Sequence, residues 1–257
     1  MKLIVDHIYT RDQNHKFLKK LEKMGFQIDP ATVKHPGGLT CRFITFRDEK
    51  DGPRKYLEFA SVSPDPKARQ IRCPGISFST TTPIGKVLER KLPQLKKHGL
   101  RFKFKHLNYE WKDGDQERGP GWNFVEFPNL GFRTLYPWIT EYEPNPNKPT
   151  PKRPKISHPN GIRGIAAIEI EINQAGRRFF ERLLSRPLSR PVQIASQPTL
   201  YFTEGKRTAI RSIILEASDP KKLVAFSFDD EIRWRGRAAR LITNPNPNMW
   251  DLIVIAT

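Results

Sequence analysis

Cysteine is almost missing. Cys41 and Cys73 are the only two in 257 residues, too few for a disulfide framework or a cysteine-based zinc site, and free thiols suit a reducing compartment. Long apolar runs are also missing. None approaches the about eighteen residues of a spanning helix, and a start that is strand-like and polar by Asp6 is not a secretion signal. A cytoplasmic chain without a membrane span is therefore expected. Acidic residues are the third shortage: 27 Asp and Glu against 45 Lys and Arg leave a formal charge of +18 and a pI near 10.1. That imbalance favours anionic partners. No RNA-recognition aromatic pair, zinc finger or helix-turn-helix accompanies it, so nucleic acid ranks below a small anionic metabolite as the partner. What the chain does have is apolar material, 37% of its residues with 16 Phe and 5 Trp. This is enough to bury a core and excludes wholesale disorder.

The first sixty or so residues read as one βαβββ unit. A β-rich run over 3–9 opens it. Asp12 or Asn14 would cap a helix whose Phe17, Leu18, Leu21 and Met24 recur at helical spacing, and Gly25 stops it. Strands follow over 41–47 and 56–62, after the turn-forming Pro36-Gly37-Gly38. The pattern then recurs. "PGISFSTTT" is extended, and Ile84, Val87, Leu88, Leu92 and Leu95 form a helical stripe that Pro93 interrupts and Gly99 ends. "RFKFKHLNYEW", "WNFVEF" and "GFRTLYPWIT" supply the strands of a second unit.

Residues 143–160 form a proline-rich basic linker, stiffened toward an extended conformation. Beyond it, 161–257 open with a strand, "RGIAAIEIEI", and a helix capped by Asn173 with Phe179, Phe180, Leu183 and Leu184 as its buried stripe. "TLYFTEG", "RTAIRSIILEAS" and "MWDLIVIAT" are strand-like, and "DPKKLVAFS" is a short helix or a loop. The expected class is α+β, with paired βαβββ modules over 1–142 and one related module over 161–257.

The repeated βαβββ order, with "VDHI" opening and "YLEF" closing the first unit, resembles the vicinal oxygen chelate superfamily, and most closely its glyoxalase-like branch. The segment from His35 to Arg42 is similar to a His-Pro-led segment of that branch. Leu39 stands in place of a glycine there, and Arg42 in place of an asparagine. The resemblance implies modules curled into an open barrel around a cleft. In metal-using members a divalent ion (Zn, Ni, Mn or Fe) chelated by adjacent substrate oxygens acts as a Lewis acid. Lyases, isomerases and ring-cleaving dioxygenases all belong to that superfamily, so fold does not select the reaction. Members often pair modules between chains. One chain carrying two or more is consistent with a monomer as well as a homodimer.

Imidazole and carboxylate on neighbouring strands are metal-ligand or acid-base chemistry. His7 and Glu58 are the candidates for both, as metal ligands or as a metal-free proton-exchanging pair. Aligning the two units sets Ser77 against His7 and Tyr136 against Glu58, so the second unit offers hydroxyls, which are poor metal ligands. His35, Arg42, Ser77, Trp122, Glu126 and Tyr136 are the candidates for substrate contact. In the third segment the His7 position falls near Ile168, on an apolar face. Two functions follow: an enzyme acting on a small oxygenated metabolite, or a non-catalytic protein that binds one.

Overall fold

The opening strand decides the architecture. β1 (Leu3–Arg11) is buried along most of its length and lies near the middle of a ten-stranded sheet. The computed structural model describes residues 3–34, 38–46, 55–62, 71–80, 93, 96–97, 101–108, 111–113, 116–118, 121–142, 157–193 and 198–256. β1 runs parallel to β4 (Tyr56–Ala60) and antiparallel to β5 (Gly75–Thr80). Beyond β4 lie β3 (Thr40–Thr45) and β2 (Thr32–Lys34), then the short β7 (Trp111–Asp113) and β8 (Gln116–Arg118). Beyond β5 lie β10 (Tyr136–Tyr142), β9 (Gly121–Glu126) and β6 (Lys103–Asn108). Each unit thus sets its last strand parallel to its first, and the two first strands pair antiparallel at the centre. The stripe expected to form the second helix lies outside the described residues, apart from the helical Pro93, Lys96 and Lys97.

The first helix, α1 (Lys16–Lys23), is capped from a distance. Asn14 and His15 adopt left-handed backbone angles in a 3-10 turn, and the Asp12 carboxylate reaches past them to accept from Phe17 N–H at 2.9 Å and Leu18 N–H at 2.8 Å. Two of the amides left orphaned at a helix start are thereby satisfied. At the other end Gly25, with φ of 79°, lets Phe26 N–H bond Leu21 C=O and Gly25 N–H bond Glu22 C=O. That paired closure needs a residue free of a Cβ penalty.

The C-terminal segment forms a second sheet of seven strands. Its central pair is β11 (Ile162–Ile172) and β14 (Ala209–Ala217), antiparallel like β1 and β5. β13 (Thr199–Glu204) and β12 (Val192–Gln193) lie beyond β11; β17 (Asp251–Ala256), β16 (Arg237–Ile242) and β15 (Asp230–Trp234) lie beyond β14. With α2 (Gln174–Leu184) after β11 and α3 (Pro220–Val224) after β14, the segment carries two short copies of the same plan where the sequence suggested one. Asn173 caps α2 as expected, accepting from Gly176 N–H at 3.0 Å.

One apolar core joins the two sheets. Val5, Ile8, Leu57, Phe59 and Phe78 belong to it, as do Ile168, Ile213, Leu215 and Leu252. The helices cross over: Phe17 of α1 meets Trp250 at 5.9 Å, and Phe179 of α2 meets Phe127 at 5.2 Å. The opposite face of each sheet carries its own smaller apolar cluster. These two faces, turned away from the shared core, are called the cups below.

Candidate functional site

A β-bulge builds the centre of the first cup. Along β1 the pairing with β5 shifts between Val5 and His7. Val5 therefore stays on the core face with Phe78, while His7 turns to the cup face opposite Ser77, and Asp6 occupies the bulge. A bulge re-aims side chains in this way and breaks strict alternation. Consecutive residues can then meet: Asp6 Oδ1 lies 2.5 Å from His7 Nδ1. On the other side of the ring, His7 Nε2 lies 3.2 Å from Glu58 Oε2. The imidazole stacks on Tyr56 at 4.4 Å and meets Trp138 edge-on at 5.1 Å.

Burial alone would pull the His7 pKa down. The carboxylates of Asp6 and Glu58 outweigh it and push it up to about 9, so the ring is an imidazolium at neutral pH. Its side chain is 5% exposed against 14% for Glu58, which makes Glu58 the member of the array nearer to a guest. Cys41 adjoins the same carboxylate, and burial first, then Glu58, drives its thiol well above the usual range. Tyr9 is likewise raised by burial, and its hydroxyl donates to Ile71 C=O at 3.0 Å.

The second unit answers with hydroxyls. His7 pairs with Tyr56 and Ser77 with Trp138 at matching steps of the two parallel ladders, so the counterpart of Glu58, two residues beyond Tyr56, is Thr140. This corrects the sequence alignment, which set Tyr136 there. Ser77 Oγ and Thr140 Oγ1 lie 2.8 Å apart and both residues are fully buried, a hydroxyl pair in the place of the imidazole–carboxylate pair. Tyr136 instead donates from its hydroxyl to Glu126 Oε1 at 2.6 Å, and Lys105 Nζ approaches Glu126 Oε2 at 2.6 Å.

His7, Glu58, Ser77, Glu126 and Tyr136 therefore share one face. Arg42 does not join them. It pairs across β3 and β4 with Phe59, which faces the core, whereas its neighbour Phe43 pairs with Glu58. Parity alone sends the guanidinium to the helix side. Trp122 lies in β9 opposite Leu107 and Tyr142, with its side chain outside the described residues, as is His35 altogether. Asp6, Tyr56, Lys105 and Thr140 were not anticipated. The one available signal was an aspartate inside the apolar strand "LIVDHIY".

In the C-terminal sheet the corresponding bulge of β11 falls between Ile165 and Ala167. By that landmark Ala167 holds the place of His7, one residue before the expected Ile168 and equally apolar. The acid of this second cup, Glu169, is bonded internally, accepting from Ser212 Oγ at 2.6 Å and Trp234 Nε1 at 2.9 Å.

A resident divalent ion needs three or more converging protein donors. No three His, Cys, Asp or Glu side chains form such a group among the described residues. Both His7 nitrogens face carboxylates, Nδ1 that of Asp6 and Nε2 that of Glu58. Cys41 is held as a thiol, and Ser77 and Thr140 bond each other. The described donor set does not fit a metal.

No family model matches this sequence, and no curated protein does. Solved structures do. A hypothetical protein from Staphylococcus aureus superposes with a TM-score of 0.63 at 11% identity, over 99% of this chain and 100% of that one. A variant of 4-hydroxymandelate synthase from Streptomyces coelicolor gives 0.59 at 10% identity, over 99% and 92%. Homoprotocatechuate 2,3-dioxygenase from Arthrobacter globiformis gives 0.56 at 12%, over 100% and 80%. The synthase and the dioxygenase have the vicinal oxygen chelate fold, and the present chain, α+β with curled mixed sheets, has it too. At such identities the likeness speaks for fold alone. No helix among the described residues is long and apolar enough to cross a membrane.

Proposed function

We propose that this chain takes a small oxygenated molecule into the cup of its first sheet and exchanges a proton with it at Glu58. The observation that carries the reading is the array Asp6–His7–Glu58, two carboxylates on one buried imidazolium, at the floor of an aromatic-walled face. In this reading Glu58 is the catalytic base. Its carboxylate accepts the proton of a substrate hydroxyl, or of a carbon next to a carbonyl, and returns it elsewhere on the molecule. His7 holds that carboxylate in place and balances its charge. Asp6, which meets His7 Nδ1 at 2.5 Å, is a positioning residue. Isomerase or lyase chemistry on a hydroxy- or oxo-carbonyl compound fits this set. The named neighbours, a synthase and a dioxygenase that bind small molecules, are compatible with such a guest without specifying it.

Deuterium exchange tests the reading. Small 2-hydroxy- and 2-oxo-carbonyl compounds incubated with the protein in D2O are expected to gain carbon-bound deuterium, seen by NMR, and Glu58→Gln to abolish the gain. Equal exchange by the variant would sink the assignment. A second reading, a binder without turnover, is favoured by the Ser77–Thr140 pair, which halves the chemically active groups of the cup. Capture of a ligand with no exchange in any compound would support it.

A further inference from the structure

The positive charge of the chain is not spread evenly. Residues 174–190, α2 and its exit, hold five arginines against one glutamate. Phe179, Phe180 and Leu183 turn one face of α2 into the core. At about 3.6 residues per turn, Arg178 and Arg182 fall on the solvent side, one turn apart and about 6 Å along the axis. Arg178, Arg186 and Arg190 are exposed and Arg182 is half-buried.

The exit is pinned to the last turn of the helix. Ser185 takes a left-handed φ of 55°, and Arg186 N–H then bonds Glu181 C=O at 3.2 Å. Leu188 is buried, and its N–H reaches Glu181 Oε1 at 3.3 Å. Arg186 and Arg190 are therefore carried on anchored backbone, so a partner need not order it. The one acid of this stretch is already engaged. Glu181 lies 3.7 Å from Arg177, which also holds Glu204 at 2.8 Å. Arg178, Arg182, Arg186 and Arg190 have no ion pair among the described residues, so four charges stand unopposed.

No apolar or aromatic side chain is exposed beside them. The large hydrophobic residues exposed among those described are Phe104 on β6 and Val224 on α3. A membrane surface calls for an apolar anchor next to the charges, and a single strand calls for rings on which its bases stack. A duplex calls for neither. Its phosphates are met by guanidinium forks, which bind them through paired N–H donors. We infer that α2 and its exit form a docking surface for the phosphate backbone of double-stranded nucleic acid. Arg178, Arg182, Arg186 and Arg190 each take one phosphate. Contacts of this kind position a duplex without reading its sequence, so no base-reading motif is required. The surface stands apart from the Glu58 site and does not depend on it.

Fluorescence anisotropy of the full chain with a short labelled DNA duplex tests the inference. Four phosphate contacts at about −0.9 each predict a log–log salt slope of about −3.6, a weakening of about a hundredfold between about 50 and 200 mM salt. Arg178→Gln, Arg182→Gln, Arg186→Gln and Arg190→Gln combined should weaken binding at low salt at least about tenfold and remove most of that slope. Lys16→Gln, Lys19→Gln, Lys23→Gln and Lys221→Gln remove the same charge from exposed positions of α1 and α3, and should change binding less than about threefold. In the wild-type protein, the backbone amides of residues 178–190 should show the largest NMR shifts on adding duplex, a readout that stands even if a variant does not fold. Equal losses in the two quadruple variants would assign the binding to bulk charge and overturn the inference. No binding at low salt, amide shifts centred elsewhere, tighter binding of the single strand than of the duplex, or tighter binding of phosphatidylserine vesicles would each overturn it as well.

Discussion

At the scale of the residue, His7 is the most consequential side chain, because each of its nitrogens meets a carboxylate in a buried place. Removing either acid should lower its pKa from about 9, by a unit or more for a charged hydrogen bond of this kind. Imidazole NMR titration of Glu58→Gln and of Asp6→Asn measures this, and a pKa unchanged in both would refute the array. The sign for stability follows. The folded pKa is raised above 6.5, so the contribution is whole below pH 6.5 and is lost as pH rises toward 9. Thermal midpoints should fall across that window in the wild type and fall less in His7→Gln. That His7 and Glu58 meet on one face was legible from residue type and strand spacing. Asp6 was not, because strict alternation puts His7 on the Val5 face and only the bulge turns it over. Arg42, a candidate because it stands in place of an asparagine in the resembled segment, failed on parity: its cross-strand partner Phe59 fixes the other face.

At the scale of the element, helix ends were readable and strand registers were not. Gly25 and Asn173 stop and start their helices as their chemistry dictates, whereas the offset between Glu58 and its counterpart Thr140 depends on ladders the sequence does not display. Asp12 was anticipated as a cap, but not its reach across two left-handed residues. Asp12→Ala leaves two amide donors of α1 unpaired and should cost about 1–2 kcal/mol, read as a lower urea midpoint with an unchanged slope. Gly176 in α2 gives a sharper contest. Alanine is favoured over glycine in a helix interior by about 1 kcal/mol. At this position, however, a Cβ would lie 2.1 Å from Thr208 Oγ1, the buried hydroxyl that donates to the capping Asn173. Thr208 is β-branched and cannot swing aside cheaply. Gly176→Ala should therefore destabilise the protein by about 1–3 kcal/mol, the range of an overpacked core site, despite its better propensity. A raised urea midpoint would show that Thr208 yields.

At the scale of the whole molecule, the two sheets are joined by more than apolar contact. His158, at the entry to the C-terminal segment, is a buried clasp on the first. Its Nδ1 accepts from Gln27 N–H at 3.0 Å and its Nε2–H donates to Thr45 C=O at 3.1 Å, between the rings of Phe26 and Phe46. Asn160 adds a bond to Met24 C=O at 2.9 Å. A ring that accepts at one nitrogen and donates at the other must be neutral. Burial accordingly lowers the His158 pKa to about 4, against a smaller opposing pull from the Thr45 carbonyl. Because the folded pKa lies below 6.5, the clasp is whole above pH 6.5 and loosens as pH falls toward 4. The full excursion is worth up to about 3 kcal/mol at 1.36 kcal/mol per unit. Carboxylates titrate in the lower part of the same window, so the comparison must be between chains. His158→Asn should be less stable than the wild type at pH 7, with a shallower decline between pH 6.5 and 4, and the two stability curves should approach each other at the acid end. Parallel curves would mean that protonation of His158 is not what acid does to the joint between the sheets.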